Sequence, residues 1–197
     1  MKKILFLLFI LPFHQVFGQE EKKVSLIYEL HANAVISKNQ TTPLTYGMYF
    51  IDFKNSKIGV WGFSYYEPGV FENLIGPKYV FKATDDLELE MGVGIGYDIL
   101  NTDYAFGGYV WFTNHKYQIY HYMEQSQNTK VFWIQSFVQK KLGENFWIGP
   151  GYQSYVGGGL KASLMVNRFE IYTQPSFDFQ NQVPTILFGL CYSNYEY

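Results

Sequence analysis

The sequence predicts an all-β protein, a closed antiparallel transmembrane β-barrel of about twelve strands. Three observations support this fold class: period-two alternation, an aromatic content of 20% against a charged content of 16%, and connections of alternating length. The alternation is clearest over 87–98, LELEMGVGIGYD. Apolar residues occupy one face of that strand, whereas carboxylates and glycines occupy the other. A barrel wall accommodates such a strand, because one face meets lipid and the other a polar lumen.

The N-terminus predicts a cleaved signal peptide. Two lysines precede an apolar run over 4–12, and the tripeptide Val-Phe-Gly at 16–18 precedes Gln19. This pattern is typical of a secretory signal, and the run is shorter than the roughly 20 residues of a spanning helix. The predicted domains are therefore a signal peptide, 1–18, and one β-barrel, 19–197.

Composition argues against nucleic acid or an anionic membrane surface as a partner and against a disulfide bond within the chain. Without the signal peptide the chain has 13 basic and 17 acidic residues, which predicts neither nucleic acid nor an anionic membrane surface as a partner. The single cysteine, Cys191, excludes an intramolecular disulfide. The 18 Tyr and 18 Phe fit aromatic girdles at two membrane interfaces.

Period-two segments between turn residues predict twelve strands. They span 24–33, 44–53, 58–66, 78–84, 87–98, 104–113, 116–123, 130–141, 146–155, 160–166, 169–177 and 185–192. The weakest are 78–84 and 116–123, and without them the barrel would have ten strands or eight.

The predicted connections alternate between short turns and longer loops. The short turns are 54–57, 85–86, 114–115, 142–145 and 167–168, and the longer loops are 34–43, 67–77, 99–103, 124–129, 156–159 and 178–184. Outer-membrane barrels have short periplasmic turns and longer external loops. Both chain ends are therefore expected on the periplasmic side.

With these features the chain resembles the small single-chain outer-membrane β-barrel proteins of Gram-negative bacteria. The resemblance covers the whole mature length and includes the aromatic last residue, Tyr197. It implies a location in the outer membrane and contact with its lipids, but it names no activity. Tyr195 and Tyr197 depart from the register of 186–192, and a one-residue bulge at Ser193 or Asn194 would restore it.

The sequence predicts no enzyme, metal site or cofactor. Enzymes among outer-membrane barrels set His against Ser or Asp near the outer rim, and the His-x-Ser spacing of outer-membrane phospholipases is absent. His31 lies near the long-loop end of its strand, but a lone rim histidine is interpreted as a lumen residue. No acidic or histidine spacing is that of a local zinc or calcium site. The glycines at 157–159 lack the helix and Lys-Ser/Thr of a phosphate loop.

Alternation sends a set of polar side chains into the lumen. Lys82 is expected beside Glu88 or Glu90, and Lys161 beside Glu170, as ion pairs between neighbouring strands. The predicted lumen-lining residues are Glu29, His31, Lys82, Glu88, Glu90, Asp98, Gln135, Gln139, Lys161 and Glu170.

Two main functions remain open, and a lipid-modifying enzyme is a third, unfavoured one. The first is a narrow pore for small polar or cationic solutes. The second is a non-conducting barrel that anchors or binds through external loops, with Tyr66, Phe71, Tyr104 and Tyr155 as contact residues. The inward glycines and carboxylates favour the pore. Six inward aromatics favour a plug, namely Tyr109, Trp111, Trp133, Phe137, Trp147 and Tyr172.

Overall fold

Twelve antiparallel strands close into one barrel in the computed structural model, which describes residues 24–38, 40–84, 86–128 and 132–194. Each strand pairs with its neighbours in chain order, and β1 pairs with β12. The predicted fold class and strand number are therefore confirmed. The strands are β1 (Val24–Ser37), β2 (Gln40–Phe53), β3 (Ile58–Glu67), β4 (Val70–Thr84), β5 (Leu87–Asp98), β6 (Asp103–Thr113), β7 (Tyr117–Ser126), β8 (Phe132–Lys141), β9 (Phe146–Gln153), β10 (Gly157–Val166), β11 (Phe169–Asp178) and β12 (Val183–Ser193).

No helix among the described residues is long and apolar enough to cross a membrane.

The strands alternate because one face packs inside the barrel and the other faces outward. On β7, Gln118, Tyr120, Tyr122 and Glu124 are buried, whereas the intervening Ile119 and Met123 are exposed. Large apolar side chains recur on the outward face of the other strands as well. Such a face is stable against lipid, as on barrels that span membranes.

At the predicted long-loop end, the extra length lies in the strands and not in the loops. The stretches 34–43 and 67–77 were expected to be loops, but β1 and β2 stay paired to Ser37 and Gln40, and β3 and β4 extend into the second stretch. The connections at both ends of the barrel consequently have two to five residues. Val, Ile and Thr at 35, 36, 41 and 42 favour extended pairing, so the ribbon continues past the roughly ten residues that a membrane strand needs.

Three further predictions concern one turn and the two chain ends. Tyr155 was expected in a strand but lies in the turn 154–156 with φ of 66°, where the chain reverses into β10. The predicted signal peptide lies outside the described residues, and so do Tyr195 and Tyr197. The side chain of Asn194 accepts a hydrogen bond from Tyr28 N at 2.9 Å and so extends the contact between β1 and the end of β12.

Glycines on β5 make room for large side chains inside the barrel. A Cβ on Gly92 would lie 2.5 Å from Trp61 Nε1, and one on Gly96 would lie 2.5 Å from Leu74 Cγ. Both distances are shorter than any ordinary carbon contact. The glycines of this strand are therefore needed for the packing of the lumen.

Candidate functional site in the lumen

The interior of the barrel has an aromatic side and a polar side. The aromatic cluster lies on β2–β8 and consists of Leu44, Tyr46, Met48, Phe50, Trp61, Phe63, Leu74, Tyr109, Tyr120, Tyr122, Trp133 and Phe137. Buried polar side chains on β8–β12 form a second surface, the polar stripe, which consists of Gln135, Gln139, Gln153, Lys161, Ser163, Glu170, Gln174 and Thr185.

Side chains from opposite walls meet inside the barrel and form a constriction. In the strand order β2 and β8 are diametrically opposite, yet Gln135 Nε2 donates a hydrogen bond to the Tyr46 hydroxyl at 3.2 Å. The Tyr120 hydroxyl on β7 similarly donates to Met48 Sδ on β2 at 3.6 Å. Side chains, not backbone, therefore narrow the lumen.

Two adjoining cavities lead to this constriction. The larger cavity, about 320 Å³, is lined by Glu88 and Glu90, and we call it the vestibule. It lies towards the end of the barrel that holds the β2–β3 and β4–β5 turns, which we call the short-turn end. The smaller, about 30 Å³, is lined by Tyr46 and Gln135. A cavity of the smaller size holds one or two water molecules. Both cavities are lined by Glu29, Trp111, Gln118 and Met165.

A buried lysine organises the charges of the vestibule. Lys78 Nζ lies 2.8 Å from Asp52 Oδ1 and 2.8 Å from Glu90 Oε2. The Tyr109 hydroxyl donates to the other oxygen of Glu90, and the ammonium lies 4.9 Å from the ring centroid of Phe50. Sequence reasoning missed Lys78, because it began the weakly predicted segment 78–84. Its position four residues before Lys82, on the same strand face, was the available signal.

Seven of the ten predicted lumen residues are buried, and the other three lie towards the short-turn end. Glu90 lines the vestibule, and Lys82 pairs with Glu88 at 2.9 Å. The side chain of Lys82 is 67% exposed, so this pair lies at the end of the barrel. The seven buried residues are Glu29, His31, Asp98, Gln135, Gln139, Lys161 and Glu170.

The buried polar residues form separate groups. Lys161 Nζ lies 3.2 Å from Glu170 Oε1, an ion-pair distance without hydrogen-bond geometry, and 4.0 Å from the ring centroid of Phe137. Gln139 Nε2 donates to Ser163 Oγ at 3.1 Å. These contacts tie β8 to β10 and β10 to β11 inside the polar stripe.

A group of carboxylates lies at the opposite end of the lumen. Glu72, Asp98, Asp103 and Glu124 are all buried there. Asp98 accepts hydrogen bonds from Leu100 N at 2.9 Å and Asn101 Nδ2 at 2.6 Å, so it orders the turn 99–102. Sequence reasoning missed Glu72 and Glu124, because both fell in stretches that were predicted to be loops.

Comparison with known proteins identifies a fold and not a family. No family model and no curated protein matches the chain. Among solved structures, KdgM porin matches with a TM-score of 0.57 and 11% identity over 83% of this chain and 98% of that chain. KdgM porin in complex with disordered oligogalacturonate gives the same values.

A further match comes from a structure described under the in-meso crystallisation of membrane proteins, with a TM-score of 0.56 and 10% identity. It covers 86% of this chain and 84% of that chain. TM-scores of 0.56 and 0.57 show a shared barrel fold, and at identities near 10% they show the fold alone. The shared fold agrees with the resemblance to small outer-membrane barrels.

Proposed function

We propose that this chain is an outer-membrane β-barrel that acts as a narrow pore for small polar or cationic solutes. The observation that carries the proposal is the vestibule of about 320 Å³, which narrows to a cavity of about 30 Å³ beside Tyr46 and Gln135. A wide entrance that ends at contacts between side chains is the form expected of a selective pore. The predicted signal peptide, 1–18, would direct export, and the apolar outward face would contact outer-membrane lipids.

The polar stripe supports polar solutes as the cargo. It offers amide groups, two hydroxyls and an ion pair on one wall, while the aromatic cluster forms the other wall. A solute that sheds water in the lumen needs replacement hydrogen bonds, since an unpaired polar group is costly away from water. Gln135 lines the smaller cavity beside Tyr46, and its amide can both donate and accept such bonds.

The charge of the lumen favours cations or neutral molecules over anions. A lumen with an excess of carboxylates has a negative potential, which attracts cations and repels anions. Oligogalacturonate, which is bound in one KdgM porin structure, is a polyanion, so we propose a different solute class here. Among the described residues outside the adjacent Glu72–Glu124 pair, the buried carboxylates are Glu29, Asp98, Asp103, Glu170 and Asp178, and the buried lysines are Lys78 and Lys161.

We assign His31 to the lumen wall and propose no enzymatic activity. The imidazole of His31 stacks on the ring of Tyr46, with 4.2 Å between centroids and 15° between planes. His31 is buried beside the constriction that Tyr46 and Gln135 form. A histidine in that position has little access to a lipid substrate at the outer rim.

Planar-bilayer recording on the purified, folded barrel tests the pore. We expect small steps of conductance with a reversal potential that indicates cation preference. Slower migration on a detergent gel after heating confirms that the unheated sample was a folded barrel. A silent bilayer with folded protein, together with no uptake of small amines or sugars into liposomes, would overturn the proposal.

A silent barrel would leave the second candidate function, a binding surface formed by the external loops. The specific observation in its favour is that twelve buried hydrophobic residues fill one side of the lumen. Tyr66, Tyr104 and Tyr155 are each more than half exposed near the predicted external end. Aromatic side chains of this kind contribute strongly to protein interfaces.

A further inference from the structure

Three different metal-ligating side chains meet at the seam that closes the barrel. One donor atom each from Glu29, His31 and Cys191 lie within 4.8 Å of one another, and all three residues are buried. We propose that these residues bind a divalent transition-metal ion of the zinc type. The proposal concerns binding by the folded chain and does not depend on conduction through the pore.

Strand pairing brings the three residues together. Glu29 and His31 are two positions apart on β1, so their side chains lie on the same face. His31 is directly opposite Cys191 in the register of β1 with β12. The two strands are far apart in sequence, so no local spacing of ligands reveals the cluster.

The distance between Glu29 and His31 fits two ligands of one ion. His31 Nε2 lies 3.4 Å from Glu29 Oε2. Tetrahedral zinc ligands about 2.0–2.1 Å from the metal are about 3.3–3.4 Å from each other. The same two atoms are also within reach of a long hydrogen bond, so the tautomer of His31 decides between a shared metal ion and a shared proton.

The surrounding hydrogen bonds direct the lone pair of His31 into the cluster. The Tyr172 hydroxyl donates to Asn33 Oδ1, so its oxygen is left to accept from His31 Nδ1–H, 3.3 Å away. This assigns the proton to Nδ1 and leaves Nε2 as an electron-pair donor facing Glu29. Metal-binding histidines are commonly held in this way through the ring nitrogen that does not bind the ion.

Space for a fourth ligand lies beside the cluster. The cavity of about 30 Å³ is lined by both Glu29 and His31 and is large enough for a water molecule. Three protein ligands and one water form an open tetrahedral site. A set of carboxylate, imidazole and thiolate selects Zn²⁺ or Co²⁺ over Mg²⁺ and Ca²⁺, which prefer oxygen ligands.

Titration of the folded barrel in detergent with Zn²⁺ and Co²⁺ tests the site. We expect one ion per chain in calorimetry. Bound Co²⁺ should give the intense visible bands of tetrahedral coordination and a near-ultraviolet charge-transfer band from the thiolate. In Cys191→Ser the charge-transfer band should disappear and the affinity should fall by about tenfold or more. His31→Gln should weaken binding by a similar factor.

A second histidine provides the matched control. His121 lies on β7 with Nδ1 2.6 Å from Ser136 Oγ, away from Cys191, so His121→Gln should keep the stoichiometry and the Co²⁺ spectrum. Heat-dependent migration on gels shows whether each variant is folded. The proposal is overturned if the folded wild-type chain binds no Zn²⁺ at millimolar concentration, in which case a proton on Nε2 accounts for the contact with Glu29. It is also overturned if Cys191→Ser leaves the Co²⁺ spectrum unchanged.

Discussion

Tyr46 and Gln135 form a hydrogen bond of 3.2 Å between diametrically opposite strands, β2 and β8. Each partner reaches the contact with a single side chain, so rotatable groups and not backbone span the lumen at this level. Side chains change rotamer far faster than strands rearrange. The contact is therefore suited to act as a gate within a rigid wall.

Removal of this contact should open the lumen. In the double variant Tyr46→Ala, Gln135→Ala we expect single-channel conductance to rise about twofold or more, because the narrowest part of the path sets its resistance. Planar-bilayer recording measures the change. Tyr152→Ala on the outward face of β9 is the control and should conduct as the wild type does. Equal conductance in the double variant and the wild type would show that solutes take another route.

Neutralising the vestibule should reduce the preference for cations. Glu88 and Glu90 line the vestibule, so Glu88→Gln, Glu90→Gln should lower the cation-to-anion permeability ratio about twofold. The reversal potential in a salt gradient measures that ratio, and the effect should weaken as salt screens the charges. Glu67→Gln, at the other end of the barrel, is the control. A ratio that stays constant in the double variant would contradict the charge-based selectivity.

Two lysines on β4 allow a test of which ion pair stabilises the barrel. Lys78 is buried between Asp52 and Glu90, whereas Lys82 is largely exposed beside Glu88. Lys78→Met should lower the free energy of unfolding by about 3 kcal/mol, because it leaves two carboxylates without their partner.

The matched variant Lys82→Met should change the free energy of unfolding by less than about 1 kcal/mol. Urea unfolding in detergent, followed by loss of the fast-migrating folded band, measures both values. Equal losses of stability in the two variants would contradict the role assigned to Lys78.

The strands could be predicted from the sequence because alternation is a local signal. All twelve were found, and β5 has the predicted bounds, Leu87–Asp98. The predicted strands stopped short of the stretches 34–43 and 67–77. Pro43, Gly76 and Pro77 are typical loop residues, yet all three lie within the paired strands of the extended hairpins.

The filling of the lumen was only partly predictable. Tyr109, Trp133, Phe137 and Tyr172 are buried as predicted, but Trp61 on β3 was missed. Both faces of β3 carry apolar or small residues, so alternation does not identify its inner face. The meeting of Tyr46 with Gln135, or of His31 with Cys191, depends on closure and register, which no single strand encodes.

The orientation of the barrel predicts which turns face the outside of the cell. Lys38 follows β1 at the end of a long hairpin, and Ser56 lies in the turn 54–57 at the opposite end. Outer-membrane barrels extend further from the membrane outside the cell than in the periplasm, and the long β1–β2 hairpin is such an extension, so Lys38→Cys should react with a membrane-impermeant maleimide on whole cells. Ser56→Cys should react only after the outer membrane is broken.

The native chain provides the background for this labelling, since Cys191 is fully buried and should remain unlabelled in the folded barrel. Labelling of Ser56→Cys on whole cells, with none of Lys38→Cys, would reverse the orientation. The vestibule would then open to the outside of the cell. A solute that enters from outside would pass Glu88 and Glu90 before it reached the constriction. Labelling of neither variant on intact cells, with both reactive after lysis, would place the barrel away from the cell surface.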